Sequence, residues 1–476
     1  MPAASPQIKG LVIAAPNSGS GKTTLTLALL AALKARGFSL APFKVGPDFI
    51  DPGHHSRITG TVSRSLDGWM LGRETNREIF ARGCRDADLA VVEGVMGLFD
   101  GFSGADEAGS TAQMAKWLNL PVLLVVDAKS MARSFAALVK GFCEFDSGLR
   151  IAGVAANNVA GGRHLEYLRE AMAGYGVPLL GGIPREAGIE IPDRHLGLHT
   201  ADDHRLSETA IRQLADLVET HIDLEALLDR LPEGKTKAAP SAAPPAPDVR
   251  IGVARDNAFC FYYEDNLDCL RQQGCETVFF SPLTDAALPP DLDGLYLGGG
   301  YPELFAGQLE ANASMRRSIK ALADAGMPVY AECGGFMYLC RKLLARDGTA
   351  CRMAGVFPFE TRMQERLSAL GYREIRLLTD TPLGPAGMIA RGHEFHYSKF
   401  VTNDPAHEGT DGITAVYGST DRSGADRGCP GWLKNHCLGS YVHLHFLSCP
   451  QAAGHFAAAC RSYRDRKGKS PCSPTR

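Results

Sequence analysis

Residues 329–339 read VYAECGGFMYL, and the pattern changes in the middle. As far as Glu332 the run is short and apolar, as in a buried strand. After Cys333 come two glycines and then the amphipathic run FMYLCRKLL, residues 336–344, which has helical spacing. A strand that turns through one nucleophilic residue into a helix is a nucleophile elbow, which holds the side chain up at the carboxyl edge of a sheet. This reading makes the rear half of the chain an α/β sheet and Cys333 its nucleophile. The helix N-terminus behind the sulfur is expected to favour the thiolate.

A cysteine nucleophile needs an oxyanion hole and a base. The run YLGGGYPEL, residues 296–304, follows an earlier strand pattern, and backbone N–H groups of Gly300 or Tyr301 together with Gly334 are the candidate hole. The run GSYVHLHF, residues 439–446, offers His443 and His445. Strand alternation is expected to turn both side chains to the same side.

The front half carries a second signature, APNSGSGKTTLTLALLAALKARG, residues 15–37. It reads as strand, small-residue loop and helix, and the loop ends in GK[ST] at Gly21, Lys22 and Thr23. Backbone amides of Ser18, Gly19, Ser20, Gly21 and Thr24 are placed to cradle phosphate oxygens. Lys22 would reach the terminal phosphates and the Thr23 hydroxyl would sit on magnesium. Pro16 stands where the usual first glycine belongs. Acidic residues follow the next strand patterns, Asp48 and Asp51 beside Lys44 in FKVGPDFIDPGHH (43–55), and Glu93 and Asp100 in VVEGVMGLFDG (91–101). Two carboxylate pairs beside one phosphate site exceed what one metal ion needs, and like charges at close range require offsetting cations. Magnesium, with a phosphorylated intermediate formed at the site, is expected there. Asn157, in GVAANNV (153–159), sits where an amide can read a purine edge.

On both sides of the Pro/Ala-rich stretch LPEGKTKAAPSAAPPAPDV (231–249), β-branched runs alternate with helical patterns, the pattern of buried parallel strands. Before it, residues 210–231 read as one amphipathic helix. The 476 residues suit two domains. A formal charge of −3 and 22% charged residues argue against general nucleic-acid binding, and no run is long enough to span a membrane. The N-terminal 23 residues run straight into the phosphate loop, unlike a signal peptide. Thirteen cysteines without a CxxC pair suit thiols in a reducing cytoplasm.

Taken in order, APNSGSGKTT, KVGPDFIDPGHH, VVEGVMGLFDG, GGGYPE, AECGGFMYL, RGHEFHYS and GSYVHLHF resemble the cobyrinic acid a,c-diamide synthases. The resemblance spans nearly the whole chain apart from linker and tail. It implies an α/β chain of two domains. The first, residues 1–230, is a P-loop NTPase-like doubly wound sheet similar to dethiobiotin synthetase. The linker is 231–249. The second, residues 250–462, is a class I glutamine amidotransferase-like, flavodoxin-like domain, and 463–476 is expected to be a basic disordered tail. The implied activity is ATP- and glutamine-dependent amidation of the a and c acetate carboxylates of a corrin through acyl phosphates, in the cytoplasm. Glutamine, ATP as co-substrate and a corrin-type tetrapyrrole are the implied partners, with no nucleic acid and no membrane; a homodimer is a further candidate assembly. Magnesium is assigned to Thr23, Asp48 and Glu93, while Asp51 and Asp100 position acceptor or ammonia. The base carries over to His443 through Tyr441-Val442-His443. Relatives usually place a Glu two residues after that base. Here His445 stands there, which leaves the third triad member open between His445, the His393–Glu394 pair and no side chain. Hydrogenobyrinic acid or a nickel sirohydrochlorin are alternative acceptors. A nucleotide-dependent partner-binding switch with an inactive glutaminase is the reading of another class.

Overall fold

A computed structural model of the chain describes residues 9–185, 206–232, 243–401, 412–428 and 430–469. The chain divides into two compact units, Met1–Ser241 and Ala242–Arg476, so the division falls inside the Pro/Ala-rich stretch. Residues 233–242 of that stretch lie outside the described residues.

The first unit is built on seven strands: β1 (Gly10–Ala14), β2 (Leu40–Val45), β3 (Arg64–Leu66), β4 (Leu89–Glu93), β5 (Val122–Asp127), β6 (Ile151–Val159) and β7 (Leu179–Pro184). They lie in the order β3-β2-β4-β1-β5-β6-β7, every neighbouring pair parallel. β1, β2 and β4 are buried along their whole length, which is why their sequences are nearly unbroken apolar runs. Helix α1 (Lys22–Ala35) leaves the loop after β1 and is buried from Leu25 to Leu33, because the helix Glu208–His221 covers it with Leu214, Leu217 and Val218. The single helix expected over 210–231 is two. Ile222 is extended and bridges Gly181, and the Asp223 carboxylate accepts from Ala226 N to cap a new helix, Leu224–Leu228. The chain order reverses about β1, so the loops after β1, β2 and β4 open on the carboxyl edge where α/β sheets bind ligands.

In the second unit β8 (Val249–Ala254), β9 (Cys275–Phe280), β10 (Gly294–Leu297) and β11 (Val329–Glu332) form a parallel core with the strand Cys437–Ser440. Trp432–Lys434 and Ile413–Ala415 extend it antiparallel. Two further four-stranded sheets, absent from the sequence reading, occupy most of the region after the elbow. One of them pairs Ile389–His396 with His443–Leu444 and sets His393 opposite His443. The strands involved are short or half-exposed, so they lack the apolar runs that marked the parallel core.

The expected disordered tail from 463 is corrected in part. The last helix runs from Gln451 to Lys469, and residues 470–476 lie outside the described residues. Tyr463 is buried, Arg461 makes a two-pronged pair with Asp248 at 2.8 Å on each arm, and Arg464 donates to the Asp248 carbonyl. Anchors of this kind outweigh the basic composition. The cysteines of the described residues form no disulfide, and no helix there is long and apolar enough to cross a membrane.

Phe456, 1% exposed, packs from this helix against Tyr330 with ring centroids 6.5 Å apart. Phe456→Ala is expected to cost about 3–5 kcal/mol of stability. In a denaturant titration this reads as earlier unfolding of the C-terminal unit.

Two candidate active sites

Between β1 and α1 the loop turns through two left-handed glycines, Gly19 at φ 82° and Gly21 at φ 97°. A side chain at Gly21 would also strike the Asn157 amide, 2.2 Å from an ideal Cβ. Asn157, at the end of β6, donates from Nδ2 to the Ser20 carbonyl at 3.0 Å. It lies beside the loop, with one donor committed to bracing it. Ser20 Oγ donates to the Asn17 carbonyl, and Lys22 Nζ, nearly buried, reaches back to the same carbonyl at 3.2 Å.

The acidic residues do not form two equivalent pairs. Asp48 Oδ1 accepts from Ile50 N and Asp51 N at 2.8 and 3.2 Å, which ties it to the start of helix α2 (Ile50–Thr59). Asp100, exposed, accepts from Gly97 N at 3.0 Å and closes its own turn. Asp51 and Glu93 are the carboxylates that converge on the loop. Thr23 Oγ1 donates to Glu93 Oε1 at 2.6 Å and lies 3.5 Å from Asp51 Oδ2. Of the two aspartates Asp51 is the one that approaches Thr23, while the charge of Asp48 also acts on Lys44. A hydroxyl and two carboxylates are hard oxygen donors, which suit magnesium.

The cation that lets two buried carboxylates coexist belongs to the chain. Lys44 Nζ lies 2.6 Å from Asp51 Oδ2 and 2.8 Å from Glu93 Oε1, while His55 Nε2 meets Glu93 Oε2 at 2.7 Å and Ser63 holds the other ring nitrogen at 3.1 Å. Burial works against the charge on Lys44, but Glu93 and Asp51 outweigh it and hold its pKa above the ordinary lysine value. Burial would raise Glu93; Lys44 and His55 instead pull it below the usual carboxylate range. Sequence reasoning passed over both residues as partners, although Lys44 and His55 bracket the motif in which the aspartates were noticed.

In the C-terminal unit Cys333 sits at φ 45°, ψ −104°, a left-handed conformation that a β-carbon makes costly and that marks the elbow. Its N–H donates to the Ser440 carbonyl at 2.7 Å, and Sγ lies 3.9 Å from the Phe395 carbonyl. The expected helix-stabilised thiolate is overturned for this state. Burial pushes the thiol well above its ordinary pKa and the nearby Glu303 adds to that, while the Gly334 N–H pulls weakly the other way. The helix behind it, Gly334–Leu339, has only six residues, too short a dipole to outweigh desolvation. Cys333 is therefore a thiol that needs a base.

The elbow packs on the glycine run. Gly335 N donates to Gly298 O at 2.9 Å, and Gly300 N lies 3.0 Å from an ideal Cβ at Gly334. Gly300 and Gly334 remain together as candidate oxyanion donors. Tyr301 does not, because its N–H is committed to the Ala258 carbonyl at 3.0 Å. His443 approaches the same run, its Cε1 only 2.3 Å from where a Cβ at Gly299 would stand. Its ring stacks on His393 with centroids 5.0 Å apart. Burial, then the neighbouring His393 and His396, hold its pKa well below the ordinary histidine value, so it is a neutral base.

His443 and His445 do not act as a pair. The strand ends at Leu444, and His445 lies on the Tyr263 ring with centroids 4.5 Å apart. Glu394 is held by Arg373 at 2.5 Å and approaches His396 at 3.4 Å. Two carboxylates act near His443: Glu332, its Oε2 3.9 Å from Nδ1, and Glu394, whose charge works against the lowering of the His443 pKa. Glu332 precedes the nucleophile, and nothing in its spacing from a histidine 111 positions later marked it.

Two family models match the chain, a CobQ/CobB/MinD/ParA nucleotide binding domain over residues 11–198 and a CobB/CobQ-like glutamine amidotransferase domain over residues 250–451. Curated relatives match across both units. The cobyrinate a,c-diamide synthase of Syntrophotalea carbinolica is 48% identical over 456 residues, covering 95% of this chain and 98% of that one. The enzymes of the same name from Salmonella typhimurium and Methanosarcina barkeri are 41% and 40% identical, covering 94% and 97% of this chain and 98% and 97% of their own.

Lys44→Ala leaves Asp51 and Glu93 buried without their cation. It is expected to destabilise the N-terminal unit by about 3–5 kcal/mol at pH 7. Glu93, depressed in the native protein, contributes stability above its unfolded pKa that is lost as pH falls. The gap between parent and variant should therefore narrow below about pH 4.5, near the ordinary carboxylate pKa. Urea melts at pH 7 and pH 4 that give equal gaps would refute this account.

Proposed function

The chain belongs to the cobyrinate a,c-diamide synthases, and from that premise we propose that it uses ATP and glutamine to amidate the a and c acetate carboxylates of cobyrinic acid in cobalamin biosynthesis. The observation that carries the reading is the coexistence in one chain of a phosphate loop ringed by Thr23, Asp51 and Glu93 and an elbow whose Cys333 packs on the same glycine run that His443 approaches.

At the elbow, His443 takes the thiol proton as Cys333 Sγ bonds to the side-chain carbonyl carbon of glutamine. The oxygen gains negative charge, and the N–H groups of Gly300 and Gly334 face it. His443 then returns the proton to the amide nitrogen, the C–N bond breaks and ammonia departs, leaving a thioester that water hydrolyses to glutamate. At the phosphate loop an acceptor carboxylate oxygen attacks the terminal phosphorus of ATP. This forms an acyl phosphate and ADP, and Lys22 faces the charge that builds on the transferred group. Magnesium would be held by Thr23 with Asp51 and Glu93 and would supply Lewis-acid neutralisation of the phosphates. Ammonia attacks the acyl carbon and phosphate leaves. Asp48 and Asp100 shape the turns around this site, and Asn157 braces the loop from the side on which the base would lie. The cytoplasm, where thiols stay reduced, is the compartment this chemistry suits.

Incubation with ATP, magnesium, glutamine and cobyrinic acid is expected to give the diamide by mass, whereas an unchanged substrate mass would refute the reading. Cys333→Ala should abolish glutamine-driven turnover while added ammonia still supports amidation; retained glutamine use would remove Cys333 from its role. Lys22→Ala should lower amidation by about 10²–10³-fold with either nitrogen source, and full ammonia-driven activity would refute the phosphate role.

A further inference from the structure

A carboxylate does not belong at the end of β11 on packing grounds. Glu332 is 1% exposed, and an apolar residue of its size would avoid the cost of burying a charge. Three donors hold it instead: Tyr330 Oη at 2.5 Å and Leu444 N at 3.0 Å on Oε1, and Tyr296 Oη at 2.9 Å on Oε2. Leu444 directly follows His443, so one carboxylate grips the backbone beside the base while its second oxygen faces the base's Nδ1 at 3.9 Å.

We propose that Glu332 is the positioning carboxylate of the glutaminase site, supplied by the nucleophile's own strand where the residue two after the base is His445. The inference rests on Cys333 and His443 acting as nucleophile and base. Glu332 favours the tautomer with hydrogen on Nδ1, which leaves the Nε2 lone pair for the Cys333 proton. When that proton arrives, His443 becomes an imidazolium at Nε2 while keeping its Nδ1 hydrogen, and the ionised Glu332 stabilises it. Glu332 neither gains nor loses a proton during turnover. The 3.9 Å separation is expected to close as the imidazolium forms.

The groups around Glu332 make the role measurable. Burial pushes it up to about 7, against hydrogen bonds from Tyr330, Leu444 and Tyr296. Around it stand Tyr296 from β10, Tyr330 from β11, Tyr262, Cys333, and His443 with Leu444 N; His393, His396 and Glu394 lie beyond, and Glu394 acts on both His443 and Cys333. The tyrosines stay protonated near neutrality, their pKa values raised chiefly by burial. His443 stays neutral and Cys333 protonated. Glu332 is neutral below about 7 and ionised above it, so glutaminase kcat/KM should rise with pH through that value. Glu303, beside Cys333, is also pushed up to about 7 by burial and is the rival source of such a limb.

The test measures glutamate release by the full-length enzyme from pH 5.5 to 9, a window of about one to two units around that limb, for the parent, Glu332→Gln, Glu332→Asp, Glu303→Gln and Cys333→Ala. Glu332→Gln is expected to lower kcat by about 10²–10⁴-fold with KM for glutamine within about threefold, and to flatten the acid limb. Glu303→Gln should keep the limb. A Glu332→Gln enzyme within about threefold of the parent and with the limb intact overturns the proposal, as does a limb abolished by Glu303→Gln. A fall in kcat/KM carried by KM alone marks a structural role and also overturns it. If Glu332→Gln does not fold, Glu332→Asp decides: a limb displaced to lower pH supports the proposal and an unmoved limb overturns it. Glutamate release by Cys333→Ala would instead refute the nucleophile assignment on which the inference rests.

Discussion

The left-handed turn at Cys333 is the constraint on which the C-terminal site depends. A non-glycine residue at φ 45° costs about 1–3 kcal/mol, and it persists only where neighbours over-determine it. Here Ser440 O takes the Cys333 N–H, Met337 N returns to Cys333 O, and Gly298 O takes the Gly335 N–H. Those bonds come from the strand on one side of β11, the helix after it, and the glycine run on the other side. Close approach of the elbow to that run leaves no space for β-carbons at Gly334 or Gly335, the Ala258 carbonyl leaves none at Gly300, and the Gly300 amide is brought close to Gly334. The sulfur's position and the hole that would serve it have one cause.

Both sites bury carboxylates at strand ends, and the two solutions differ in a way that sets their chemistry. Glu93 is met by an ammonium and an imidazole and is pulled down in pKa, which keeps it ionised beside a phosphate loop. Glu332 is met by two phenols and a backbone amide. These donors are neutral and only partly repay desolvation, so its pKa rises to about 7. The first arrangement suits a fixed charge near cations and nucleotide. The second suits a group whose ionisation can be felt by a base that becomes charged only during turnover.

Much of the fold was legible because its decisive elements are local. The β-branched apolar runs on both sides of the Pro/Ala-rich stretch marked buried parallel strands, since parallel strands are buried on both faces. The two small sheets after the elbow were not legible, because their strands are short or half-exposed and pair across long loops. The last helix was misread because its basic surface hid the buried Tyr463 and the Asp248 anchor.

Sequence by itself determined the phosphate loop, the elbow, the presence of two α/β units and the family, because each is written in contiguous residues whose spacing has one physical reading. Only the tertiary structure decided which side chains meet. Lys44 reaches Glu93 across 49 residues and Glu332 reaches Leu444 across 112, through the register of neighbouring strands. Tyr301 lost its place in the oxyanion hole to a carbonyl 43 positions earlier. Register is a property of the packed sheet, and burial, which set the protonation of Cys333, His443 and Glu332, exists only once that packing is complete.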